Sequence, residues 1–215
     1  MTLKKHTLVV GPFQCNCSIL VCEKTKEAIV VDPGDELERI TAACEKNGVK
    51  LKYAVHTHGH LDHVGAVSGL KAWAPSMKIA LHKGDEPMYL NLPMQGQMFG
   101  FQYDVPPPVD HYLQDDEELN FGEQRFKVIH TPGHSPGGVC LRFEAGTLSQ
   151  TPVVFSGDTL FQKSIGRTDL WGGDHRQLLK SIKERLLSLD EQTEIMPGHG
   201  ASTLVGIEAR ENPFL

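Results

Sequence analysis

In the segment His58-Gly59-His60-Leu61-Asp62-His63, three imidazoles and a carboxylate fall within six residues. Leu51 to Val55 before it reads as a strand, and Val64 to Trp73 after it reads as a helix. The segment is therefore a loop at the C-terminal end of a strand, where α/β proteins usually place their sites. Three imidazoles and a carboxylate suit a divalent metal of the zinc type, which takes His nitrogen and Asp oxygen. One tetrahedral ion cannot easily use all four donors from so short a loop. Splitting them between two adjacent ions relieves that geometry, and the rest of the chain then has to complete both.

Three further donors stand where turn chemistry exposes a side chain. His134 lies in Thr131-Pro132-Gly133-His134-Ser135-Pro136-Gly137, Asp158 in Ser156-Gly157-Asp158-Thr159, and His199 in Pro197-Gly198-His199-Gly200. Each is a strand end, a glycine, then a donor. The glycines let the backbone turn sharply and bring the donor near an ion.

Between these motifs the chain alternates short β-type runs with amphipathic helices. Strands are expected over Thr7 to Val10, Cys17 to Cys22, Ala28 to Val31 and Lys78 to Leu81. In the second half they are expected over Arg125 to His130, Gly138 to Phe143, Pro152 to Ser156 and Glu194 to Met196. Asp32-Pro33-Gly34 stops the third run, and Asp35 is a plausible N-cap for a helix carrying Leu37, Ile40, Ala43 and Cys44 on one face and ending at Gly48. Further helices are expected from about His175 to Leu187 and from Leu204 to Arg210. Asn91 to Val109, rich in Pro, Gly, Met and Gln, reads as a long connection that serves as a lid, a binding loop or a passive surface segment. Both halves share a strands-then-helix order, which suggests two similar layers in a single α/β domain spanning residues 1–215.

Composition narrows the function classes. The net charge of −6 argues against a nucleic-acid partner, since phosphate neutralisation wants basic excess. No apolar run approaches the ~18 residues that span a bilayer, so no membrane association is expected. Met1 to His6 has two lysines but no apolar run or cleavage site behind it, so no secretory signal is expected. The five cysteines, 15, 17, 22, 44 and 140, are odd in number and lack framework spacing, which favours reduced thiols and a cytoplasmic location. Cys15-Asn16-Cys17 leads into an apolar strand and reads as structural. His6, His82, His111 and His175 have no ligand-like context. His56 reads as structural, and His130 as either packing or a hydrogen-bonding neighbour of the centre.

The ordered set His58-x-His60-x-Asp62-His63, His134, Asp158, His199 resembles the metallo-β-lactamase superfamily over essentially the whole chain. The resemblance implies a four-layered αββα sandwich with two mixed sheets. It implies one metal site of His58, His60 and His134, a second of Asp62, His63 and His199, and Asp158 bridging the two. Within the superfamily, the stretches Thr57 to Gly65, His130 to Gly137 and Gly157-Asp158-Thr159-Leu160-Phe161 resemble glyoxalase II, hydroxyacylglutathione hydrolase. Gly166-Arg167-Thr168-Asp169 is similar to its small bacterial relatives. The longer enzymes of that kind carry a C-terminal helical domain with glutathione-binding basic residues, whereas this sequence ends at Asn212-Pro213-Phe214-Leu215. Thioester hydrolysis is thus implied, and glutathione recognition left open.

Two ions ~3.5–4 Å apart can share a water, lower its pKa towards ~7 and present hydroxide to an acyl carbon. A thiolate with a pKa near ~8.5–9 leaves without a strong general acid. The expected activity is therefore hydrolysis of S-lactoylglutathione or a related acyl-thiol, with Asp62 as a ligand that also orients the hydroxide. Zinc is the first candidate metal, with iron and manganese also compatible with N/O donors. Arg167 is the best candidate for a substrate carboxylate, a local salt bridge being the bland alternative. Lys163 is a weaker one. Tyr89, Met94, Met98, Phe99 and Tyr103 fit either an apolar lid or packing. Other readings are a persulfide dioxygenase with one iron, and a lactonase or lactamase.

Overall fold

Side-chain alternation within the strands decides how the layers stack. In the computed structural model, which describes residues 3–215, the first half contains strands Leu3–Val10 (β1), Cys15–Cys22 (β2), Glu27–Val31 (β3) and Lys50–Val55 (β4), with helix Leu37–Lys46 (α1) before the last. Helices Leu61–Val64 (α2) and Val67–Trp73 (α3), strand Lys78–His82 (β5), helices Glu86–Leu90 (α4) and Leu92–Phe99 (α5), and strand His111–Leu113 (β6) follow. Met1 and Thr2, the start of the segment read for a signal, lie outside the described residues.

These strands form one mixed sheet in the order β1-β2-β3-β4-β5-β6, antiparallel at first and parallel from β3 onward. The second half supplies strands Glu118–Phe121 (β7), Gln124–His130 (β8), Val139–Phe143 (β9) and Val153–Gly157 (β10). The hairpin Leu160–Phe161 (β11) and Ser164–Ile165 (β12), helix His175–Ser181 (α6), strands Glu194–Pro197 (β13) and Thr203–Leu204 (β14), and helix Val205–Glu211 (α7) complete it. The second sheet runs β14-β13-β10-β9-β8-β7, with β10 and β13 parallel and the other pairs antiparallel.

Leu20, Ile29, Val31 and Val55 point from the first sheet into the space between sheets, where they meet Phe126, Val128, Leu141, Phe143 and Phe155 of the second. Their sequence neighbours Ile19, Val21, Val30 and Ala54 face the other way, onto Ile40 and Cys44 of α1 and Val67 and Leu70 of α3. Ile129, Cys140, Val154 and Ile195 likewise leave the second sheet to pack on Leu178, Ile182 and Leu186. A strand buried on both faces needs both sets of apolar residues, which is why these runs are nearly continuous. The result is the four-layered αββα sandwich that the sequence implied. Among the described residues no helix is long and apolar enough to cross a membrane.

Several local expectations are corrected. Asn91 to Val109 is not one long connection, because Leu92–Phe99 is helical. Its proline sits in the first turn, where an N–H is not needed, and Gly100 at φ +80° ends it in the left-handed conformation, so residues read as breakers act as start and stop. Asp35 does not cap α1: the capping position is Glu36, at φ +53° and without a side-chain cap, while Asp35 accepts from the Glu36 N–H at 2.6 Å. The helix expected over Val64 to Trp73 starts at Leu61 and breaks at Gly65-Ala66, so Asp62 and His63 stand on a helical turn rather than in an open loop. The helix from His175 widens at Ile182–Leu186 into a π-type turn that keeps Ile182 and Leu186 in the core.

Candidate metal centre

The strands β4, β8, β10 and β13 all end at one edge of the sandwich, and the sequence-predicted donors follow each end. Three groups of donor atoms converge there, each within 4.8 Å: His58, His60 and His134; Asp62, His63 and His199; and His58, His63 and Asp158. In the first group His134 Nε2 is 2.9 Å from His60 Nδ1 and 3.2 Å from His58 Nε2. In the second, His199 Nε2 is 3.2 Å from His63 Nε2 and 3.1 Å from Asp62 Oδ2. Asp158 lies between them, with Oδ2 3.7 Å from His134 Nε2 and 3.6 Å from His199 Nε2, and Oδ1 3.4 Å from His63 Nε2.

These contacts test whether the residues fit metal. The edge of a tetrahedron around an ion with ligands at ~2.0–2.1 Å is ~3.3 Å, close to the nitrogen separations above. Asp158 Oδ1 is buried and has no hydrogen-bond partner among the described residues, which a cation would supply. The charge states agree as well. Burial, followed by the charge of neighbouring imidazoles, pushes His58 well down and His60 down to about 3, leaving neutral nitrogen donors. Burial acts to raise the Asp62 carboxyl, but His63 and His199 hold it well below the usual carboxylate range. Burial likewise acts to lower His63, yet Cys15, Asp62, Asp158 and Asp32 around it push it well up. Neutral imidazoles on one side and a surplus of carboxylate on the other make a site that favours dications.

Three of the five rings, those of His58, His63 and His134, are oriented from behind. Asp32 Oδ2 faces His63 Nδ1 at 3.0 Å, and His134 Nδ1 donates to the Arg167 carbonyl at 2.7 Å. The His58 Nδ1 lies 3.1 Å from Thr57 Oγ1, whose hydroxyl donates to Asp32 Oδ2 at 2.7 Å. With Nδ1 occupied, Nε2 of all three is the atom turned to the centre. Asn16 donates to the carbonyls of Pro197 and Gly200, both at 3.0 Å, and so holds the His199 turn. Two glycines are required by space. A Cβ on Gly198 would lie 2.3 Å from Asp158 Oδ1, and one on Gly157, at φ +49°, 2.4 Å from Thr57 Oγ1.

The structure adds residues that sequence reasoning missed. Asp32, read only as a strand stop, is buried and also accepts the Thr57 N–H at 2.7 Å. Asp85 is buried and accepts from Gly59 N at 2.9 Å, Ser135 Oγ at 2.7 Å and Gly137 N at 2.5 Å, joining the His58–His63 and His134 segments. It follows strand β5 and Gly84, the same strand, glycine, donor pattern that marked the ligands. Gln95, on α5, donates to the Gly59 and Met88 carbonyls and accepts from Leu61 N, all at 2.9–3.0 Å. Nothing in the sequence marks it.

The remaining candidates fall into place around the centre. His56 is buried, with Nδ1 3.0 Å from the His63 carbonyl. His130 stacks on His82 at 4.1 Å and bonds the Pro136 carbonyl. Cys15 Sγ is 3.6 Å from His63 Nδ1, and burial pushes its thiol up to about 11. Arg167 lies on the cleft over the centre, its guanidinium held by both oxygens of Asp169 at 2.8 Å. Lys163 pairs with Glu211 instead. Met94, Met98 and Phe99 line the cleft, whereas Tyr89 is buried and bonds the Pro107 carbonyl.

Fold and donor set together define a metallo-hydrolase. The chain belongs to the metallo-β-lactamase superfamily, whose family model matches residues 10–199. It is 39% identical over 213 residues to hydroxyacylglutathione hydrolase GloC of Haemophilus influenzae, with 96% of this chain and 95% of that protein covered. Among solved structures it is similar to BLEG-1 B3 metallo-β-lactamase, with a TM-score of 0.88, 38% identity and 99% of both chains covered. It is similar also to TTHA1623 in a di-iron-bound form, with a TM-score of 0.85, 38% identity and 98% and 100% covered. The fold implies divalent metal ions, and relatives bearing hydrolase names support an enzyme.

Proposed function

We propose that this chain is a dinuclear metal-dependent thioesterase of the glyoxalase II kind, cleaving S-lactoylglutathione or a related acyl-thiol. The observation that carries the reading is the pair of donor triads with the Asp158 carboxylate between them. In this reading His58, His60 and His134 would hold one ion and Asp62, His63 and His199 the other, with Asp158 as the ligand they would share. Zinc suits the donors, and the di-iron form of a 38% identical relative supports iron as the alternative. When bound, two such ions supply Lewis acidity and activate water at neutral pH.

The chain's own residues do the rest. Asp62, ionised and facing the cleft, accepts a hydrogen bond from the attacking water and aims it at the acyl carbon. Among the described residues no Ser, Thr or Cys lines the cleft, so the attack is direct rather than through a side-chain nucleophile. A thiolate leaves without a strong general acid, which matches a cleft holding no acid beyond the donor set. A β-lactam as acyl substrate is the second reading, favoured by the B3 metallo-β-lactamase name of a 38% identical structure.

Metal analysis combined with a panel of thioesters, lactones, β-lactams and glutathione persulfide tests the proposal. Release of free thiol from S-lactoylglutathione or another thioester of the panel, abolished by chelation, is expected. Oxygen consumption with persulfide, or β-lactam opening without thioester turnover, would overturn it.

A further inference from the structure

The cleft over the metal centre, about 970 Å³, has two unlike parts. His60, Asp62, His134, Asp158 and His199 make its polar floor. Its walls are apolar: Leu90, Met94, Met98 and Phe99 come from α4 and α5, and Trp171 from the loop before α6. All five are between 43% and 73% exposed in the free chain. Large apolar side chains gathered in water around one opening mark a surface that is covered when the protein works. Phe13 of the β1–β2 turn clasps the wall, its ring 5.2 Å from Phe99 and edge-on to it. The wall is thus tied to the sandwich, while its two methionines can adapt their shape to an occupant.

Charge decides what the occupant is not. Among the described residues the one Lys or Arg lining the cleft is Arg167, and its charge is already paired with Asp169, whose two oxygens take Nε and Nη2. A glutathione moiety brings two carboxylates, which need unpaired cations beyond the floor. An alkyl or aryl chain needs only apolar area, which this wall offers.

We infer that the substrate's acyl group is an apolar chain seated on the Leu90, Met94, Met98, Phe99 and Trp171 wall, and that the charges of its thiol carrier add no affinity. The inference rests on the thioesterase reading for its chemistry and on the wall for its specificity, and the two separate experimentally. S-alkyl-N-acetylcysteamine thioethers from methyl to hexyl, which cannot be hydrolysed, are titrated by calorimetry into the metal-loaded protein. Kd is expected to tighten about two- to fourfold per methylene. The double variant Met94→Gln/Met98→Gln, and independently Trp171→Ala, are expected to flatten that slope with metal content unchanged. S-hexylglutathione is expected to bind no tighter than its cysteamine counterpart.

A Kd independent of chain length would overturn the inference, as would glutathione thioethers binding more than about tenfold tighter. The matching acyl thioesters are assayed in parallel for thiol release. A chain-length slope in binding without any hydrolysis keeps the apolar site and removes the thioesterase reading. Hydrolysis with a flat slope does the reverse.

Discussion

Asp32 reaches the centre twice, its Oδ2 facing His63 Nδ1 at 3.0 Å and, through the Thr57 hydroxyl, steadying His58. One buried carboxylate therefore sets a ring in each donor triad. Asp32→Ala leaves the buried Thr57 N–H and hydroxyl without their acceptor and removes the carboxylate facing His63, and is expected to cost about 3–5 kcal/mol of stability. Metal affinity should fall about 10- to 100-fold even though no ligand is removed. Competition with a chelating dye measures the second effect, and an unchanged affinity would sink this role. The donors themselves were legible because each is a rare residue type at a strand end, and six residues can hold four of them only as a cluster. Asp32 was not, since the same Asp-Pro-Gly chemistry that ends a strand hides a carboxylate turned inward. Cys15 was read as structural and is buried, but its place beside His63 depends on a pairing across the sheet that no local pattern announces.

At the scale of elements, α5 does more than connect. Gln95 closes hydrogen bonds to Gly59 and Leu61, on either side of His60, so the helix braces the donor segment while its outer face forms the cleft wall. Gln95→Ala leaves Leu61 N–H and Gly59 C=O without that partner, and a loss of about 1–3 kcal/mol is expected. Thioester turnover should drop more than melting temperature suggests, because His60 loses its alignment. Equal turnover per bound metal would contradict the bracing. Most strands and the helices α1 and α6 were visible as periodic apolar runs. Helix α5 was not: its Pro, Gly and Met content suits a loop until the first-turn proline and terminal glycine are seen in place. The short strands β6 and β7 were missed for a related reason, because four residues or fewer give alternation too little room to register.

The whole molecule joins its two sheets through groups that respond to pH and metal. His82 stacks on His130, and its Nδ1 accepts the Gly84 N–H at 3.2 Å. Burial, then the His130 charge, pushes it down from the ordinary 6.5 to about 4. Because the unfolded chain takes this proton first, stability is full above pH 6.5 and is lost as pH falls towards 4. His82→Asn keeps an acceptor for Gly84 and should flatten the urea midpoint over that window; an unaltered pH profile would refute the assignment. A centre assembled from segments distant in sequence exists only in the folded chain, so chelation of bound metal is expected to lower the melting temperature by about 5–10 °C. The sandwich was legible as a whole because strands with two apolar faces demand cover on both sides. Which carboxylates knit its loops together depended on contacts distant in sequence, such as Asp85 to Gly137. Fold, donors and cleft converge on a centre that, as proposed, holds two ions and cleaves a thioester. Its most direct test titrates the metal-free chain with zinc or ferrous iron while following thiol release from S-lactoylglutathione and hexanoyl-N-acetylcysteamine. Activity with at least one thioester should rise to a plateau at two ions per chain and be absent in Asp158→Ala, which should bind fewer ions. A plateau at one ion, full activity in that variant, or no thiol release at two bound ions would rule out a two-ion thioesterase.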